Sequence, residues 1–426
     1  MSDKKIDLKG AVAIGIGGMV GGGIFAVLGL AISLAKGATP LAFLIAGVIA
    51  TFTAYSYSKL SQAFPDSGGT VRFINEGFGK GVISGGLNNL LWISYIIMLA
   101  LYASAFGSYA PNLVSITGDN TIDSHIFISA VIIIATIINY ASSKLVSAIE
   151  SYAVIVKLLI LLGFIAVGIY GMSSSSNLDQ LNPVKWEGSL QIITGGMVIF
   201  VAYEGFELIA NAVTDLKNPE KNIPRAYMAS VLFVVVLYIT IAVITVGSLP
   251  FEQIQKAKDY VLSEVAQPTL GQAGFTIMTI AALISTFSAI NATLYGGSRV
   301  SYKVAKDDEL PHEFTAQFWR HPVGLIIIAV ATLLLANIAE LESISTSGSA
   351  GFLLLFAIVN YIAYKKRNQL KASKIVTFLG TALCTVAFVI LMIQQSQSNL
   401  TGVIIIITII ITCFLLEFWY KKTEKN

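Results

Sequence analysis

The chain has 426 residues, of which 55% are hydrophobic and 12% charged, with a formal net charge of +3. Charge at about half the roughly 25% usual for soluble domains leaves too little polar surface to cover so much apolar material, which excludes a soluble enzyme. The small net charge gives no footing for nucleic acid, and Cys384, Cys413, His125, His312 and His321 are too scattered for a disulfide framework, a metal site or a bound cofactor.

A bilayer-spanning helix needs about 20 mostly apolar residues to cross roughly 30 Å of hydrocarbon. Twelve segments meet that criterion, at 9–35, 38–62, 80–111, 124–142, 148–171, 189–214, 224–248, 271–300, 322–339, 344–364, 373–394 and 400–420. The first follows Lys4, Lys5 and Lys9 and has the outline of a signal peptide, but it is too long and too glycine-rich, so it reads as a retained helix.

Span one contains GIGGMVGGGIF, with Gly15, Gly17, Gly18, Gly21, Gly22 and Gly23. An interior glycine costs a helix about 1 kcal/mol, so this run predicts a break. Unwound backbone at membrane depth survives only where protein covers it or a cavity needs it, and broken spans point to a transporter site. Close helix packing is the plain alternative, because Gly17-x-x-x-Gly21 and Gly18-x-x-x-Gly22 fit the small-xxx-small pattern. Gly21-x-Gly23-x-x-Ala26 also fits a loose dinucleotide fingerprint, but no strand precedes it.

Span five carries Lys157 about nine residues from its start, roughly 13–14 Å deep and near the middle of the core. A lysine there is costly and marks a functional candidate, since snorkelling cannot easily bring it to either surface. Span six, TGGMVIFVAYEGFELIANA, repeats the anomaly of span one: Gly195, Gly196 and Gly205 interrupt it, and Glu204 and Glu207 lie three apart on one helical face. After span seven, FEQIQKAKDYVLSEVAQP has helical spacing and predicts an amphipathic surface helix. The inner loops are short, with no room for an attached soluble domain.

Spans one and six hold equivalent places if residues 1–171 and 189–365 are two five-span repeats, with 373–426 outside them. An odd repeat length forces the halves into opposite topology, and paired broken helices in inverted halves are a transporter pattern. Placing both termini in the cytoplasm leaves only Lys36, Lys185, Lys256 and Lys258 outside and puts 22 of the 27 Lys and Arg inside, as the positive-inside rule asks.

Four motifs carry a resemblance. Gly21-Gly22-Gly23-Ile24-Phe25, then FPDSGGTVRFINEGFG after span two, YEGFELIANA with DLKNPEKNIPRA at span six, and GSRVSYKVAKDDELP ending span eight resemble, in order and spacing, the amino acid–polyamine–organocation transporters. AVIVKLLILLGF, with its lysine, is similar in particular to the archaeal and bacterial proton-coupled, broad-specificity members. The chain departs from the family pattern at Arg72, where an aromatic residue is usual, and at Glu204, where several relatives are apolar.

The resemblance implies an all-α membrane protein of twelve transmembrane helices in an inverted 5+5 repeat, the LeuT-like fold, with helices one and six broken. It implies that the substrate carboxylate lies on the amides of Gly22 and Gly23, with Gly21 shaping the turn, where a helix N-terminus favours an anion. The ammonium would meet the carbonyl of Met19 and those of Val201, Ala202 and Glu204, and the side chain would face Phe200, Tyr203, Trp92, Tyr95 and Asn291, which packing explains equally. In proton-coupled relatives a span-five lysine stands where others bind sodium. Here Lys157 would meet the carbonyls of Gly17 and Val20 and the hydroxyl of Ser288 or Ser285, while Phe287 stands where a sodium site wants a second hydroxyl. Glu207 is either a second proton site or an acceptor for Ser345 and Ser349.

The expectation is a secondary transporter importing amino acids with protons, multi-pass in the cell (inner) membrane, its partners being a small-molecule substrate, protons and the lipid bilayer. A polyamine or cationic amino acid carrier or exchanger is the alternative, motivated by Glu204. A channel or receptor fits the paired glycine breaks less well.

Overall fold

The computed structural model describes residues 6–141, 143–172, 175–306, 317–318 and 321–423. His312 and the end of the GSRVSYKVAKDDELP motif lie outside the described residues. The helices run in chain order as α1 (Leu8–Met19), α2 (Gly23–Ala35), α3 (Thr39–Ala63), α4 (Thr70–Phe78), α5 (Val82–Tyr109), α6 (Asn120–Ala141), α7 (Ser143–Met172) and α8 (Ser189–Val198). A 3-10 helix (Phe200–Asp215) follows, then α9 (Pro219–Ser248), α10 (Phe251–Lys256), α11 (Val261–Lys306), α12 (Val323–Ile338), α13 (Leu341–Lys365), α14 (Arg367–Leu370), α15 (Lys374–Ser398) and α16 (Leu400–Thr423). The strands β1 (Gln317–Phe318) and β2 (His321–Pro322) form a two-residue antiparallel ladder, so the fold class is all-α apart from that clasp.

Ten helices among the described residues are long and apolar enough to cross a membrane, eleven if the bent pair α1–α2 is one span. The remaining expected span, the ninth at 322–339, corresponds to α12, whose 16 residues reach only about 24 Å along the axis. Helix starts precede the hydropathy limits by up to five residues, as at Asn120, Ser143 and Pro219, because polar first turns are helical without being apolar. The loop after α3 is more structured than expected: α4 starts after Gly69 (φ 50°), where a β-carbon would meet Asn211 Oδ1 at 2.2 Å. Arg72 lies on its surface, paired with Glu76 at 2.6 Å.

The expected amphipathic helix after span seven is corrected by the structure. It is two pieces, α10 and the start of α11, the latter running into span eight across Gly271 (φ 61°, ψ −154°). Its apolar side, Ile254, Val261 and Leu262, is fully buried. The carbonyl of Lys258 presses on span one where only a glycine leaves room, 1.9 Å from a β-carbon built on Gly29.

Both interruptions predicted from the glycines are present. Span one bends by 46° between α1 and α2, and span six changes at Ile199 from α-helix to 3-10 helix. The two spans cross backbone to backbone: a β-carbon on Gly18 would lie 2.5 Å from the Gly205 oxygen, and one on Gly205 would lie 2.1 Å from the Gly18 carbonyl carbon. Small residues allow such an approach, and dispersion forces reward it where lipid gives helices no hydrophobic drive to associate. A second tie joins the spans at one end, where Ile6 N–H donates to Asp215 O and Lys217 N–H to Ile6 O, both at 2.8 Å.

If this crossing holds the bundle together, Gly205→Ala forces two backbones apart and lowers stability by about 1–3 kcal/mol or more. Gly163→Ala, whose β-carbon meets nothing within 4 Å, is the matched control. Thermal unfolding of the detergent-purified proteins reads both, and equal melting points would remove the crossing from the stability argument.

Candidate functional site

The last carbonyls of α1 have no helical partner, and in a membrane interior they cannot turn to water. Those of Gly17 and Met19, with Val20 and Gly21 just beyond the helix, find side chains instead. Lys157 Nζ donates to Gly17 O at 2.9 Å, and Tyr238 hydroxyl donates to Met19 O at 2.6 Å. Ser285 hydroxyl donates to Val20 O at 2.9 Å and lies against Gly21 O as well. Lys157, Tyr238, Ser285 and Ser288 are all fully buried.

Of the partners expected for Lys157, the structure brings Gly17 to the amine and gives Val20 to Ser285. Met19 O, expected to meet an ammonium, accepts from Tyr238, whose hydroxyl also reaches Ala202 O at 3.3 Å. One tyrosine therefore ties the broken ends of spans one and six.

The N-terminus of α2 presents the Gly22–Gly23 amides. A β-carbon on Gly22 would meet the Tyr102 ring at 2.1 Å, and one on Gly23 would meet the Ala202 backbone at 2.8 Å. None of Gly21, Gly22 and Gly23 needs positive φ. They are small because other groups stand close: the Tyr102 ring leaves no room for a β-carbon on Gly22, and a β-carbon on Gly21 would lie 2.7 Å from that of Ala289.

The break in span six is capped by span ten. Ser345 and Ser349 both donate to Val198 O, at 3.0 and 2.7 Å, and Ser349 accepts from Val201 N–H at 3.1 Å. This corrects one alternative for Glu207, that it accepts from those two serines: the open backbone of α8 takes their hydrogens instead. Glu207 accepts from Tyr95 hydroxyl at 2.6 Å and Thr70 hydroxyl at 3.2 Å, with Glu204 buried three residues before it on the same 3-10 helix.

The side-chain candidates have separate partners. Phe200 packs on Phe356, with ring centroids 5.9 Å apart, and Tyr203 donates to Phe43 O at 2.9 Å. Asn291 is held by Phe287 O and Asn139, and Trp92 is half-buried. Tyr102, Tyr238, Thr70 and the capping role of Ser345 and Ser349 were not anticipated. Tyr102 and Tyr238 left a trace, being polar-tipped aromatics inside apolar spans.

Residues 6–415 match the family described as amino acid permease. A protein of Methanocaldococcus jannaschii, described as uncharacterized, is 33% identical over 427 residues, which cover 100% of this chain and 97% of that one. The inner membrane transport protein YbaT of Escherichia coli is 31% identical over 409 residues, 94% of each chain. The branched-chain amino acid permease BcaP of Lactococcus lactis is 26% identical over 387 residues, 84% of this chain and 81% of its own.

The cap on span six makes an asymmetric prediction. Ser349→Ala strands Val201 N–H as well as losing a bond to Val198 O, and it costs about 1–3 kcal/mol. Ser345→Ala leaves Val198 O served by Ser349 and costs less. Comparing the two melting temperatures checks this, and equal losses would refute the cap.

Proposed function

The chain belongs to the amino acid permease family, whose members move amino acids across membranes as secondary transporters, and we propose that it imports them together with protons. The observation that carries the coupling is the buried Lys157 amine on the Gly17 carbonyl at 2.9 Å, at the break in span one. An ammonium there supplies the positive charge that a bound sodium ion supplies in other carriers. A neutral amine is a poorer donor and loosens span one from span five, so loading and unloading one proton couples to the switch of access.

The substrate is a zwitterion whose carboxylate takes the α2 amides when the Tyr102 ring moves aside, and whose ammonium competes with Tyr238 for Met19 O. Alternating access follows from spans one and six, tied at Gly18–Gly205 and through Tyr238, rocking as one body against the rest. The paired breaks support a twelve-span inverted 5+5 arrangement in which α12 serves as the ninth span. The 22-to-4 charge bias supports a multi-pass place in the cell membrane with both termini cytoplasmic. The cationic reading needs the Glu204 carboxylate to face substrate, and Glu204 is buried on the 3-10 helix three residues before Glu207.

Two measurements test this reading. In proteoliposomes with an inward proton gradient and no sodium, the wild type concentrates labelled amino acids, and Lys157→Ala equilibrates them without concentrating them. Accumulation by Lys157→Ala would place coupling elsewhere. In a scintillation proximity assay with labelled amino acids, Gly22→Ala abolishes binding because its methyl pushes Tyr102 across the amides. Gly22 is a cleaner test than Gly23, where the obstructing atom is backbone. Unchanged affinity in Gly22→Ala would remove these amides from the site.

A further inference from the structure

Glu204 and Glu207 are 4% and 1% exposed and stand three residues apart on the 3-10 helix, where side chains so spaced lie one above the other. Glu207 Oε1 accepts from Tyr95 hydroxyl at 2.6 Å, and its Oε2 accepts from Thr70 hydroxyl at 3.2 Å. Thr70 receives in turn from Tyr57 at 3.0 Å, since its own hydrogen points to Glu207. Two carboxylates side by side in a dry site with no cation do not both stay ionised, so the pair holds a proton. Glu207 already accepts two hydroxyl hydrogens, which support its charge, so the proton lies on the Glu204 side.

The surroundings offer nothing else to balance a second charge. Tyr57 comes from α3, Thr70 from α4, Tyr95 from α5, and Tyr227, bonded to Ser61, from α9. From α13 come the rings of Phe352 and Phe356, and α1 contributes the bare backbone at Gly18. Among the described residues no ion pair reaches either glutamate.

We propose that Glu204 and Glu207 form an acid pair holding one shared proton, which the transporter takes up and releases as the 3-10 helix moves against α4 and α5. It is a second exchangeable proton, separate from that of Lys157. The inference rests on the proton-coupled reading above. With the proton the pair carries one negative charge, and after release to water it carries two. Two adjacent carboxylates with no cation repel strongly in a dry site, so the proton stays while Thr70 and Tyr95 enclose the pair. Parting the 3-10 helix from those hydroxyls admits water, which solvates the second charge and lets the proton leave. Lys157 reports on the contact between spans one and five, and the acid pair reports on the contact of span six with α4 and α5.

Infrared spectroscopy of the full-length protein in lipid reads the pair directly. The wild type should show a protonated-carboxyl stretch that disappears reversibly as the pH is raised. Glu204→Gln, which keeps a donor toward Glu207, and Glu207→Gln should both lack the band. Tyr95→Phe, which leaves both carboxyls in place, should shift it, and Lys157→Ala should retain it. Under a clamped membrane potential, Glu204→Gln should accumulate a labelled mixture of common amino acids about tenfold less per unit of pH gradient, the factor for one proton.

A band that survives in both glutamine variants overturns the shared proton. A band that never titrates while the protein stays folded, or an unchanged dependence of accumulation on the pH gradient in Glu204→Gln, overturns its exchange. Failure of the Lys157 reading looks different: Lys157→Ala would still concentrate the mixture, with the carboxyl band unaffected.

Discussion

A backbone carbonyl opened in the middle of a bilayer has no water to accept from, and this requirement organises the centre of the molecule. Both broken spans expose such groups. Lys157, Tyr238 and Ser285 answer those of span one, and Ser345 and Ser349 answer those of span six. The donors come from spans five, seven, eight and ten, so satisfying the breaks draws the bundle together around them. An unserved group there would cost several kcal/mol.

The donors differ in chemistry, and that difference separates scaffold from switch. Serine and tyrosine hydroxyls donate at any ordinary pH, so the contacts of Ser285, Ser345, Ser349 and Tyr238 persist through a transport cycle unless geometry parts them. A lysine amine changes both its charge and its strength as a donor when it loses a proton. The one contact at the span-one break that chemistry alone can weaken is therefore the one from span five.

Close approach is the second ingredient. Gly18 and Gly205 let two broken spans touch along bare backbone, and Tyr238 bridges their open ends. Spans one and six thereby share contacts on three levels, with Ile6 and Leu216 linked at one end. The hydroxyls of Tyr95 and Thr70 bind this tied pair to its neighbours through Glu207, so buried titratable side chains sit at two of its boundaries.

Hydropathy and glycine spacing alone determined the membrane class, the span positions and the two breaks, because the cost of burying charge and of glycine in a helix acts locally along the chain. The depth of Lys157 made it a candidate before any neighbour was known, and its contact with Gly17 agrees with what the family resemblance implied. The break between α10 and α11 was not legible in the helical spacing of FEQIQKAKDYVLSEVAQP, nor was the positive-φ kink at Gly271 inside α11. Nor were the partners of Glu204, Glu207, Ser345 and Ser349. Their side chains lie in apolar spans where several acceptors and donors compete. Only the packing of spans three, six and ten and of α4 decides which of them come within hydrogen-bond reach, so Val198 took the serines and Glu207 was left to Tyr95 and Thr70.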